Sequence, residues 1–134
     1  SALIPALVTE AGTPLIMGWL PRQTPGSIFI SDWTHTEVAS ALSLKVRTRE
    51  LTLELRASAL TVWSHLHHAN FPSLAVLPEH FENAARFAGQ HGLGLRAGDA
   101  LHLAIAAAGG HTLVTLDRQM AEAASLLGIS SEPL

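Results

Sequence analysis

The chain has 134 residues, 48% hydrophobic and 14% charged, a balance that suits one compact domain with a buried core and excludes a disordered chain. It contains no cysteine, which excludes disulfides and thiolate metal sites and fits a reducing cytoplasm; no apolar run approaches the ~18 residues that span a bilayer, and nothing resembles a secretory leader. The net charge of −3, from eight Lys and Arg against eleven Asp and Glu, argues against a polyanionic partner by bulk charge, although an acidic centre suits a nuclease whose bound cations face the phosphate.

Along the chain, helices alternate with short apolar strands. Ser1 to Glu10 and Pro14 to Leu20 read as two helical pieces separated by Gly12-Thr13-Pro14, followed by a loop from Pro21 to Gly26. Ser27 to Trp33, with Ile28, Phe29 and Ile30 in succession, predicts a strand buried on both faces. A helix from about Thr34 places Val38, Ala41, Leu42 and Val46 on one stripe. The next, from about Thr52, carries Leu55, Ala59, Val62, Trp63 and Leu66 at helical spacing. Leu74 to Leu77 predicts a second strand, and Glu79 to Gln90 a helix through Phe81, Ala84, Ala85 and Ala88. Arg96 to Ala108 predicts a helix burying Leu101, Ala104, Ile105 and Ala108. His111 to Leu116 is a third strand, Arg118 to Leu127 a helix, and Ile129 onwards an edge strand. This alternation implies an α/β fold with parallel pairing and a helix-covered sheet. In such sheets ligands sit outside the carboxyl ends of the strands.

Three acids fall in that region. Glu37 lies in the first turn of the helix after the Ser27–Trp33 strand, Asp117 directly follows Leu116, and Asp99 sits in the first turn of its helix. A hard divalent cation takes oxygen ligands and keeps several waters, so a few carboxylates suffice to hold it. Each acid also has a local explanation. Thr34-His35-Thr36-Glu37 fits a capping box, Asp99 complements a helix dipole, and Asp117 suits an N-cap. Spacing alone leaves both readings open.

The wording around these acids resembles PIN domains and, within them, the VapC toxins. Ser1-Ala2-Leu3-Ile4 is similar to the end of the opening Asp-x-Ser-Ala-Leu motif. Trp33-Thr34-His35-Thr36-Glu37-Val38-Ala39-Ser40-Ala41-Leu42 is similar to the helix carrying the family's glutamate. Leu95-Arg96-Ala97-Gly98-Asp99-Ala100-Leu101-His102-Leu103-Ala104 is the most specific match, and Leu113-Val114-Thr115-Leu116-Asp117 resembles the strand delivering the last acid. The resemblance spans essentially all of residues 1–134, read as a single three-layer α/β/α domain with a mainly parallel central sheet. It implies that Glu37, Asp99 and Asp117 are the catalytic, metal-holding acids, with Ser1 and Thr115 as supporting hydroxyls. It implies Mg²⁺- or Mn²⁺-dependent hydrolysis of RNA, a VapB-type antitoxin as partner and a homodimer. The family's opening Asp and its strand would lie before Ser1, so the expectation is a longer protein that starts upstream. A non-catalytic PIN-like module that binds RNA or protein is the alternative.

Other residues carry weaker signals. Arg96 and Arg118 are candidates for holding substrate phosphates, or for pairing with the nearby acids. Lys45, Arg47 and Arg49 form a basic run suited to an RNA backbone or to a helix C-terminus. His65, His67 and His68 allow a transition-metal site, with solvated positions at a helix end as the plainer reading. His102 faces either the acids or a helix interface. Asp32 suits a turn. Trp19 and Trp63 suit a core or an interface, and Leu55, Val62, Trp63 and Leu66 form a candidate partner stripe.

Overall fold

The computed structural model describes residues 2–134, so the expectation placed on Ser1 lies outside the described residues. The chain divides into two compact units, one reaching to Ala75 and one over Val76–Leu134. No helix among the described residues is long and apolar enough to cross a membrane.

The first unit opens with helices α1 (Ile4–Leu7) and α2 (Thr13–Trp19), each with Pro in its first turn, where its missing N–H costs nothing. The strand β1 (Ile30–Ser31) leads directly into α3 (Asp32–Arg47), and α4 (Leu53–Asn70) runs on to β2 (Ser73–Leu74). Thr52 caps α4, its side chain accepting the Leu55 N–H at 3.2 Å. β1 and β2 pair in parallel, Ile30 opposite Ser73 and Ser31 opposite Leu74. Ile16, Val38 and Leu42 are fully buried, joined by Leu3, Ile4, Trp19, Ile30, Ala59, Trp63 and Phe71.

The expected strand over Ser27–Trp33 is only two residues long, and Phe29 is exposed. The helix takes over because Ser31 is its N-cap residue in extended conformation. The Ser31 and Thr34 hydroxyls, both buried, lie 3.3 Å apart. The stripe on α4 also divides. Ala59 and Trp63 are buried, whereas Leu55 and Val62 face outward.

The second unit comprises α5 (Pro78–Ala88), α6 (Ala97–Gly109), β3 (Leu113–Thr115), α7 (Arg118–Leu126) and β4 (Ser131–Pro133). α5 packs along α6. Ala100, Leu101, Leu103, Ala104, Ile105 and Ala106 of α6 are all buried, the pattern of a helix covered on nearly every side. Ala108, expected inside, is exposed, as are Phe81 and Ala85 of α5. α5 instead turns His80 and Ala84 inward, and the His80 ring accepts the Leu77 N–H at 3.1 Å. Leu103 meets Met120, Ala123 and Ala124 of α7, sealed by Phe87, Leu93, Leu95, Leu113, Leu127 and Ile129. β3 and β4 pair in parallel from Leu113 opposite Ser131 to Thr115 opposite Pro133. The α/β class is therefore the observed one, with every strand pairing parallel.

Candidate functional site

Asp117 leaves the carboxyl end of β3 and caps α7, accepting the Met120 N–H through Oδ1 at 3.1 Å. Its own N–H donates to the Thr115 hydroxyl at 3.0 Å. Thr115 is buried, so this bond fixes the backbone of the acid from beneath. Thr115 thus holds the backbone of Asp117 in place.

Asp99 lies in the first turn of α6, and its Oδ2 accepts the Arg96 N–H at 3.3 Å. This is a cap of the kind expected for an acid at the third helical position. Asp99 is half-buried and Asp117 exposed. Each carboxylate spends one oxygen on a backbone amide, and its second oxygen takes no hydrogen bond among the described residues. Capping and cation binding are therefore compatible at both acids.

Glu37 belongs to the first unit. Because α3 begins at Asp32 with Ser31 as its cap, Glu37 falls in the second turn rather than the first. Thr34 is inside the helix, so the capping box predicted for Thr34-His35-Thr36-Glu37 does not form. Glu37 is half-buried and has no part in the cap. Asp32 takes the first-turn position and accepts the Ser73 hydroxyl at 2.7 Å through Oδ1, tying β2 to the start of α3.

A cluster of rings braces that helix. The Trp63 indole N–H donates to His35 Nδ1 at 3.2 Å, so the proton of the neutral His35 ring is on Nε2. His35 meets Trp63 edge-on with centroids 5.5 Å apart and His67 at 4.5 Å. Burial, and after it the neighbouring His67 ring, hold the His35 pKa below its ordinary value, with Asp32 pulling the other way. Trp63 is 5% exposed, which removes it from the predicted partner stripe; it is a core residue of the first unit. No sequence signal joined His35 to Trp63, 28 residues apart.

The remaining candidates sort by their partners. His67 and His68 donate Nδ1–H to carbonyls one turn back, of Trp63 at 3.2 Å and Ser64 at 2.7 Å. Among the described residues no group of three or more His, Asp or Glu side chains is gathered for a metal ion, which holds for the histidines of α4 and for the three predicted acids alike. Lys45 pairs with Glu10 and with Glu50, the latter at 3.2 Å. Arg96 and Arg118 are exposed, and neither takes part in the ion pairs of Lys45. Pairing of the two arginines with Asp99 or Asp117 is thus not what the structure shows.

A family model described as PIN domain matches residues 1–126. The chain belongs to the PIN-domain family, whose members are generally nucleases that use divalent metal ions. No curated protein matches the sequence. The donor chemistry of the second unit fits such an ion, since Asp99 and Asp117 each retain a carboxylate oxygen, the ligand type a hard cation prefers.

Proposed function

We propose that this PIN domain is a metal-dependent endoribonuclease of the VapC type, the toxin of a type II toxin–antitoxin pair, acting in the cytoplasm. Glu37, Asp99 and Asp117 are its essential acids, Mg²⁺ or Mn²⁺ its cofactor and a VapB-type antitoxin its protein partner, with a homodimer as the working form. The observation that carries the reading is Asp117 itself. It emerges at the carboxyl end of a parallel strand, where open α/β sheets bind ligands, and a buried threonine hydroxyl holds its backbone.

In hydrolysis, water adds at phosphorus, one P–O ester bond breaks and the departing oxygen gains a proton. Bound Mg²⁺ or Mn²⁺ supplies Lewis-acid polarisation of the phosphate and lowers the pKa of a water. The protein contributes the rest. Asp99 and Asp117 present carboxylate oxygens from helix starts, where two backbone N–H groups restrict their rotation. Thr115 orients Asp117. Arg96 and Arg118, exposed and each close in sequence to one of these acids, suit contacts to the substrate's phosphates.

The test is cleavage of RNA by the purified protein with Mg²⁺ or Mn²⁺, with chelator, and with metal restored. Cleavage lost with chelator, regained with metal and absent from a folded Asp99→Asn protein supports the reading. Cleavage indifferent to chelator, or undiminished in Asp99→Asn, overturns it.

A further inference from the structure

Asp99 and Asp117 stand at the starts of α6 and α7, and one hydrogen bond connects the chain leading into the first with the opening turn of the second. The Gln119 side-chain N–H donates to the Gly94 carbonyl at 3.0 Å. Gln119 is the second residue of α7, two positions after Asp117. Gly94 closes the 3₁₀ turn His91–Leu93, two residues before Arg96, the N-cap of α6. The bond thus links the two acid-bearing helix starts.

The close approach is built into Gly94. Its φ of +62° lies in the left-handed region, which a side chain disfavours. A Cβ built there would collide with the Gln119 amide nitrogen. Beneath the bond, Leu93 and Leu95 pack with Leu103, Met120, Ala123 and Ala124. That apolar packing holds loop and helix together but is not directional. The amide bond adds the direction.

We infer that Gln119 is a positioning residue, clamping the Gly94 carbonyl so that Asp99 and Asp117 keep a fixed separation. This rests on the reading of those two acids as cation ligands. Gln119 touches neither carboxylate, so its contribution lies in geometry. A cation that both carboxylates reach would gain from their being pre-set, because less ordering would remain to be done on binding.

The experiment measures Mn²⁺ binding to the full chain by electron paramagnetic resonance, without RNA, for the parent, Gln119→Met, Gly94→Ala and Asp99→Asn proteins. Gln119→Met keeps an unbranched helix former of similar length and removes the donor. Gly94→Ala displaces the same amide by contact. Both should raise the Mn²⁺ dissociation constant by about two- to tenfold, the span set by one neutral hydrogen bond. A purely structural role would lower the unfolding midpoint and leave the affinity of the folded protein unchanged; that result overturns the inference. If Asp99→Asn weakens Mn²⁺ binding while Gln119→Met does not, the acids stand as ligands and only the clamp fails. If Asp99→Asn also leaves affinity unchanged, the reading of the acids fails and the clamp with it.

Discussion

The two units hold their acids in opposite ways. In Val76–Leu134, Asp99 and Asp117 are both helix-start residues with a backbone N–H on the carboxylate. In the unit ending at Ala75, α3 starts at Asp32 after Ser31 with no side-chain hydrogen bond capping it, and Glu37 lies further along the helix. An acid at a helix start has a stability reason to be there and therefore says little about chemistry on its own. An acid beyond the first turn lacks that reason. Glu37, whose local wording fits a capping box, takes no part in the cap of α3.

That contrast is sharpened first where the largest effect is expected, in the packing beneath the acids. Leu103 is fully buried among Met120, Ala123 and Ala124, and Leu103→Ala should cost ~2–5 kcal/mol. Urea unfolding checks this; a loss under ~1 kcal/mol would mean that α6 and α7 are not joined as described.

Asp117 comes next. Asp117→Ala removes the cap and should cost ~0.5–2 kcal/mol, whereas Asp117→Asn keeps an acceptor for the Met120 N–H and should be nearly neutral. Glu37→Gln removes no helix cap and should cost less than Asp117→Ala. A destabilisation of Glu37→Gln as large as that of Asp117→Ala would break the comparison between the units.

Trp63→Phe keeps an aromatic ring in the core but removes the donor to His35. It should cost about 1 kcal/mol for the lost bond, with some further loss from the smaller ring. An unchanged unfolding midpoint would contradict the brace between α3 and α4.

The smallest effect concerns pH. His35 is held neutral in the fold, its pKa below the ordinary value. The unfolded chain then binds the proton first as pH falls. Stability from this group is present above the unfolded value of about 6.5 and is lost as pH drops through it towards the folded value. Thermal melts between pH 7.5 and 5.5 should therefore fall less steeply for His35→Gln than for the parent. An identical pH dependence would remove His35 from this role.

Much of this was readable from residue patterns. The helix over Arg96–Ala108 was legible because its apolar residues recur around nearly the whole cylinder, and Asp117 because an apolar strand ends directly before it. The α4 start near Thr52 was legible from the helical spacing of the apolar residues that follow it. Strand lengths were not legible. Ile28-Phe29-Ile30 reads as a buried run, yet Phe29 is exposed and only Ile30 and Ser31 pair. Apolar runs this short do not separate a strand from the approach to a helix. The helix start misplaced at Thr34 had the same origin, since Ser31 competes with Thr34 as a cap and local sequence ranks both well. The His35–Trp63 and Gly94–Gln119 bonds span 28 and 25 residues. Such pairings depend on packing, which carries no local signature.

The account's central claim is that the acids serve a cation in RNA cleavage rather than the stability of helices. Glu37→Gln tests it most directly, because no cap confuses the outcome. The measurement is the initial rate of RNA cleavage at saturating Mn²⁺ by the parent and by Glu37→Gln at matched unfolding midpoints. The account predicts a loss of about a hundredfold or more, ~2.7 kcal/mol of transition-state stabilisation. A Glu37→Gln protein that cleaves within about threefold of the parent, under ~1 kcal/mol, would contradict it.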